Sequence, residues 1–319
     1  MSGISKINGV EWANISKIKG VEKASSSRVM GVSKPVAYFL DTHSSPVAAY
    51  SLRKLSSSAT TAITVENSSG TTLDIGFDSS GNLDTSALTT HCGSNYGRVS
   101  KWWDQSGNSN HMEQSTATSR PYIVDESGNL ITTTDSSIPA LDFYFSSTGR
   151  HLTDTFASNN GDHFILSYMG EFRTVSSGQH IVSQWTSSQS TQTLQTAILG
   201  ASQKLRVAAR YSTSSNHLGR ADSSVTVSAD TEYVVVGFMS ASPYTGDIDV
   251  NGDTASTLSG FPSTGNFRTA SAGISIGRRH DNGAAQYQGY LAEMIIWSSE
   301  TLPDRDNIMT DTKSYYSIS

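Results

Sequence analysis

Five carboxylates lie within strand-like runs and could do acid–base chemistry: Asp142, Glu171, Asp247, Asp249 and Glu293. Glycoside hydrolysis needs two carboxylates, about 5 Å apart when configuration is retained and farther apart when it is inverted. Period-two alternation over residues 290–297 puts Glu293 on one strand face with Leu291, Ile295 and Trp297. A carboxylate beside a tryptophan could serve a sugar site. It could equally be a structural glutamate, hydrogen-bonded near a sheet edge.

A second set is Trp102, Trp103, Asp104 and Asn108, in the run Trp102-Trp103-Asp104-Gln105-Ser106-Gly107-Asn108. Carbohydrate sites stack a ring on the C–H face of a sugar while amides and carboxylates bond its hydroxyls. The alternative is one core tryptophan and a polar turn that holds itself through Asx-type bonds.

Metal and nucleophile chemistry find less. Asp247–Asp253 imitates the start of an EF-hand loop, but the twelfth position is Leu258, where that loop needs a bidentate glutamate. A hairpin turning at Asn251-Gly252 is the better reading. The eight histidines lack the paired spacing of a zinc site. Neither a nucleophile elbow nor a phosphate-cradling glycine loop is present. Arg278-Arg279-His280-Asp281 reads as a solvated loop, with anion binding the lesser alternative. The sequence therefore assigns no catalytic residue, no metal ligand and no cofactor.

The elements that must carry these groups are short strands at spacings of roughly ten residues, typical of a sandwich or barrel. Strands are expected over 36–41, 47–55, 72–77, 99–104, 163–172, 194–199, 205–211, 232–239, 247–250, 274–277 and 290–297. Loops are expected at 56–61, 212–216 and 256–265, and a surface insertion at 125–140. One short helix is expected over 303–316, with Ile308 and Met309 available for packing. Hydrophobic residues make up 36% and charged residues 16% of 319, a composition of β-rich, externally exposed proteins. Cys92 is the only cysteine, so no intrachain disulfide forms. The opening residues lack the apolar stretch of a signal peptide. No apolar run is long enough to insert in a membrane.

Residues 1–34 differ from the rest. Ile4-Ser5-Lys6-Ile7-Asn8-Gly9-Val10 returns eleven residues later as Ile15-Ser16-Lys17-Ile18-Lys19-Gly20-Val21, and again, altered, as Ser26-Ser27-Arg28-Val29-Met30-Gly31-Val32. The repeated glycines and β-branched residues argue against a continuous helix and for extended segments broken by glycine turns. This arm holds six basic and two acidic residues, a net +4 that leaves −10 for the remainder of a chain of net −6. An acidic body argues against nucleic acid as its ligand. The repeat is too short to build its own core, so Ile4, Ile7, Val10, Ile15, Ile18, Val21, Val29 and Val32 are expected to dock on a partner. Lys6, Lys17 and Arg28 would read an acidic surface there. Three weak contacts would act together through avidity.

Two stretches carry a resemblance. Residues 287–297, Tyr-Gln-Gly-Tyr-Leu-Ala-Glu-Met-Ile-Ile-Trp, resemble the closing strand of concanavalin A-like, laminin-G-like jelly rolls. Ala49-Tyr50-Ser51-Leu52-Arg53, Asp74-Ile75-Gly76-Phe77 and Trp103-Asp104-Gln105-Ser106-Gly107-Asn108-Ser109-Asn110-His111 resemble the catalytic-domain sandwich of a fungal α-L-arabinofuranosidase family. These blocks also resemble uncharacterised phage structural proteins. The arm resembles the N-terminal repeats of virion proteins of cyanophage-like tailed phages. No block matches the segments that carry the enzyme family's acid pair, so the resemblance implies the fold and not the activity. Jelly rolls of this kind often hold calcium, but no ligand cluster stands out. The expectation is an all-β, antiparallel concanavalin A-like jelly-roll sandwich over residues 35–319, with an extended N-terminal arm over 1–34 and a short C-terminal helix. The function expected is that of a virion structural protein, assembled in the host cytoplasm and present as a homo-oligomer or in many copies. Its arm would dock on other virion proteins of capsid, neck or tail, and its sandwich would decorate the particle or touch host glycans. A glycan-cleaving tail enzyme and a secreted carbohydrate-binding module are the alternatives.

Overall fold

The computed structural model describes residues 37–144, 149–156, 163–184, 194–211, 218–241, 243–263, 266–267, 273–279, 285–299 and 302–319, together with six backbone dipeptides of the arm. Those dipeptides pair as three antiparallel hairpins: β1 (Lys6–Ile7) with β2 (Val10–Glu11), β3 (Lys17–Ile18) with β4 (Val21–Glu22), and β5 (Arg28–Val29) with β6 (Val32–Ser33). The register puts Ile7 opposite Val10, Ile18 opposite Val21 and Val29 opposite Val32. Each repeat is thus a hairpin with a two-residue connection, and Asn8-Gly9 is the dipeptide such connections favour. Ile4 and Ile15 lie outside the described residues.

The body begins with α1 (Phe39–Thr42), where a strand over 36–41 was expected. The Tyr38 N–H donates to Asp41 Oδ2 and the His43 N–H to the Phe39 carbonyl, which closes one helical turn instead. The chain continues through β7 (Ala48–Ser51), β8 (Ile63–Asn67), β9 (Thr72–Ile75), α2 (Thr85–Cys92), β10 (Gly97–Trp102), β11 (Met112–Glu113), β12 (Tyr122–Val124), β13 (Leu141–Asp142) and β14 (Leu152–Asp154). It then runs through β15 (His163–Phe172), β16 (Gln179–Gln184), β17 (Leu194–Leu199), β18 (Lys204–Arg210), β19 (Leu218–Thr226), β20 (Glu232–Ala241) and β21 (Tyr244–Val250). It ends with β22 (Ser256–Ser259), β23 (Ile274–Ile276), β24 (Gly289–Ser298) and α3 (Arg305–Tyr316). Residues 256–259, expected as loop, form the edge strand β22.

The antiparallel strands form two layers. The inner sheet is β24–β15–β20–β21, with β7 and β13 both on the outer side of β24. The outer sheet runs β9–β8–β10–β11–β14–β23–β16–β17–β18–β19–β22. β12 pairs with both β10 and β13 and makes the corner between them. The main core lies between the layers and joins Phe164, Leu166 and Met294 of one to Trp102, Ile276 and Val207 of the other. A second cluster covers the far face of the inner sheet, where Ile165, Val236 and Trp297 meet Phe39 and Ile308, Met309 and Tyr316 of α3. Burial on both faces explains why β15 and β24 read as continuous apolar runs rather than alternating ones. Asp304 caps α3 by accepting the Asp306 and Asn307 N–H groups. Among the described residues no helix is long and apolar enough to cross a membrane.

Candidate functional site: the outer face of the sheet

Side chains directly opposite one another across a ladder share a face. Following the outer-sheet register from strand to strand gives one row: Asp74, Thr64, Lys101, Glu113, Thr153, Ser275, Ser183, Gln195, Ala208, Arg220, Ser259. Ten of these eleven positions are polar. Their neighbours along the strands, such as Ile63, Val65, Leu152, Ile276, Val182 and Val207, point the other way into the main core. The middle of the row, at Ser275 and Ser183, is wholly buried, while Glu113 and Asp74 at one end are exposed.

That exposed end is bonded side chain to side chain. Trp103 Nε1 donates to Thr64 Oγ1 at 2.9 Å, and Thr64 Oγ1 donates to Asp74 Oδ1 at 2.6 Å. Lys101 Nζ lies 2.6 Å from Glu113 Oε1 and 4.7 Å from the centre of the Trp103 ring. The His111 ring lies 4.6 Å from Trp103. Two hollows meet here and share Glu113 and Ser115: one of about 360 Å³ beside Trp103, the other of about 520 Å³ lined by His111, Thr153 and Asp154. His111 Nδ1 accepts the Asp104 N–H, which leaves the proton of the neutral ring on Nε2. Burial, reinforced by Lys101, holds the imidazole below its ordinary pKa. Burial also pushes Asp154 above the usual carboxylate range; the Thr155 N–H opposes this, and Glu113 adds to it.

The residues expected from the Trp-Trp-Asp run divide. Trp102 is fully buried against Tyr50, so its ring is closed to any ligand. Asp104 holds the loop: its Oδ1 accepts the Ala49 and Ser106 N–H groups and its Oδ2 accepts the Asn110 N–H and the Ser106 hydroxyl. Asn108 Nδ2 donates to the Pro46 and Val47 carbonyls. Trp103 alone of the four reaches the outer face. Glu113, Asp154 and His111 were not singled out from sequence. Glu113 and Asp154 belong to strands of two and three residues, too short for alternation to mark.

The five strand-borne carboxylates are dispersed and engaged. A bulge corrects the expected face of Glu293: the register steps from Met169 opposite Glu293 to Gly170 opposite Leu291, so Ala292 is the extra residue. Leu291 therefore joins the main core, while Ile295 and Trp297 join the second cluster. Glu293 accepts from Arg53 Nε at 2.6 Å, Arg53 Nη2 at 2.8 Å, Ser51 Oγ and the Tyr316 hydroxyl. Glu171 binds Thr134, Asp142 pairs with Arg150, Asp247 pairs with Arg305, and Asp249 accepts the Gly252 N–H. Asn251 and Gly252 have φ of 54° and 98°, which confirms the hairpin reading of this segment. Among the described residues no group of three metal-ligating side chains comes together. His280 and Asp281 lie outside the described residues.

No family model matches the chain, and no curated protein matches it. Solved structures match its fold. One is an arabinofuranosidase complexed with arabinofuranosyl-α-1,2-xylobiose, 16% identical, covering 85% of this chain and 62% of that one with a TM-score of 0.55. Another is a mutant GH54 α-L-arabinofuranosidase soaked with 4-nitrophenyl α-L-arabinofuranoside, also 16% identical, with the same coverage and a TM-score of 0.56. The chain spans 62% of the length of these enzymes. A sialidase carbohydrate-binding module from Ruminococcus gnavus, bound to α2,3-sialyllactose, aligns at 12% identity over 49% of this chain and 84% of that one, with a TM-score of 0.40. The class is thus a jelly-roll β-sandwich with an appended C-terminal helix. Within that class, the body has the arrangement of strands seen in arabinofuranosidases.

Proposed function

We propose that this chain is a virion structural protein that binds glycan on the outer face of its sandwich and is held on the particle by its N-terminal arm. The accessible end of the row, from Asp74 to Thr153, carries the reading. The hydroxyls, the lysine and the carboxylates around Trp103, with the two hollows beside them, offer the mixture of stacking surface and hydrogen-bonding groups that sugars need. The arabinofuranosidase-like fold supports a carbohydrate ligand. The three hairpins of the arm support repeated docking, each offering free strand edges to a partner's sheet.

Binding is preferred to cleavage because the five strand-borne carboxylates are tied to intramolecular partners. A hydrolase is the second reading, favoured by the raised pKa of Asp154 beside Glu113 and His111. Two measurements separate these ideas. A glycan array with the chain and with Trp103→Ala should show binding that the substitution weakens; an array blank for both would reject the glycan reading. Removal of residues 1–34 should leave the array result intact and abolish incorporation into particles, and unchanged incorporation would reject the arm's role. Turnover of any bound glycan, lost in Asp154→Asn, would replace the binder with an enzyme.

A further inference from the structure

Another hollow shares no residue with the two beside Trp103. It lies where the C-terminal end of α3 meets the turn at Asn82-Leu83 and the segment 136–139. Its volume is about 390 Å³, within the range of about 300–1,000 Å³ usual for small-molecule sites. The floor is buried and the rim is open: Leu83 and Arg53 are buried, Ile138 and Pro139 half-buried, and Asn82 and Tyr315 exposed. Arg53 is 7% exposed, yet its guanidinium gives only two of its five N–H groups to Glu293, one from Nε and one from Nη2. The other three, two on Nη1 and one on Nη2, have no partner among the described residues. Tyr315 lies against the same guanidinium, 4.2 Å from ring centre to carbon, and donates its hydroxyl to Asn82 Oδ1. What remains of the Asn82 amide is the Nδ2 donor.

The hollow thus sets apolar side chains around unspent donors, which is the usual make-up of a small-molecule site. A buried donor left unbonded is costly, and an acceptor oxygen offsets that cost. The charge of Arg53 is already balanced by Glu293. Ser136, in the same lining, holds the carboxylate of Glu232 through its N–H and hydroxyl. A second anion would therefore meet two buried carboxylates, whereas a carbonyl oxygen brings no charge. We propose that this hollow binds a small uncharged ligand: an amide, ester or ketone on an apolar body. Its carbonyl oxygen accepts from Arg53, and its body lies against Leu83, Ile138, Pro139 and the Tyr315 ring. Asn82 Nδ2 stands at the rim as a second donor. The site is separate from the outer face and does not depend on the glycan reading.

The test titrates the full chain, followed by NMR, with probes of one skeleton: 3-phenylpropionamide, 3-phenylpropionate and 3-phenylpropylammonium. The amide should bind in the millimolar range or tighter. It should bind about tenfold more tightly than the ammonium, which has no acceptor, the worth of a hydrogen bond to a charged donor. The carboxylate should also bind more weakly than the amide. Tyr315→Ala should weaken the amide by removing the ring beneath which Arg53 lies. Asn82→Asp keeps the acceptor for the Tyr315 hydroxyl and puts a carboxylate at the rim. It should tighten the ammonium about tenfold, a gain that a misfolded variant would not give. Binding of no probe, or equal binding of amide and ammonium, would overturn the inference. So would a carboxylate that binds most tightly, in favour of an anion held by Arg53. An amide that moves the Trp103 indole resonance and leaves Tyr315 unmoved would have gone to the outer face, and would overturn it as well.

Discussion

Glu171 and Glu232 stand directly opposite each other on β15 and β20, and one strap holds both. Thr134 gives its N–H and hydroxyl to Glu171, and Ser136 gives the same two groups to Glu232. Like charges in this position repel, so the four donors are what make the pairing tolerable. The segment expected to be a surface insertion, 125–140, is therefore tied to the inner sheet. Ser136→Ala should cost about 1–3 kcal/mol by leaving a buried carboxylate under-bonded. Chemical denaturation measures this, and a loss near zero would show that the strap contributes nothing.

Arg53 and Glu293 make the second buried commitment. The guanidinium also packs against the rings of Tyr315 at 4.2 Å and Phe39 at 4.8 Å. Arg53→Ala should cost about 3–5 kcal/mol, because it strands the Glu293 charge. The double variant Arg53→Met, Glu293→Leu should recover much of that loss. A double variant as unstable as the single one would refute this account.

The adjacent tryptophans should behave oppositely. Trp102→Ala opens a cavity in the main core and should cost about 3–5 kcal/mol. Trp103→Ala should leave the denaturation midpoint nearly unchanged while weakening glycan binding. Equal losses of stability would contradict the placement of Trp103 on the outer face.

Asp154 gives a pH signature. Its folded-state pKa is raised by burial, so its ionisation works against folding. Its relative stabilisation is full below the unfolded pKa and is lost as pH rises through the folded value. Asp154→Asn should therefore be more stable than the parent at neutral pH, and that advantage should shrink as the pH falls through the carboxylate range. An advantage that grows on acidification would reverse the assignment.

How much of this could be read from the residues follows from burial. β15 and β17 were expected within their observed bounds, and β24 within a residue, because buried strands write long apolar runs. The hairpin at Asn251-Gly252 was legible because its turn needs positive φ. β8, β11, β12, β13, β14, β16 and β19 were missed. β19 alternates weakly through Leu218, Arg220 and Asp222, and one of its two partners, β22, lies far away in sequence. Asp104 and Asn108 were legible as polar loop residues, but nothing local shows that their partners are the backbone at residues 46–49. The polar row was invisible for the same reason. It is a property of ten ladder registers together, each fixed by tertiary pairing.

The division of labour between the two layers has a consequence for how this protein can change. The inner sheet is gripped on both faces, so almost any substitution there disturbs a core. The exposed outward positions of the outer sheet, such as Asp74, Glu113 and Ser259, belong to neither cluster, and exchanging one polar side chain for another there leaves the pairing beneath intact. The glycan preference proposed for this face could therefore drift residue by residue at those positions while the scaffold stays fixed. Relatives of this chain should differ most at those positions and least along β15 and β24.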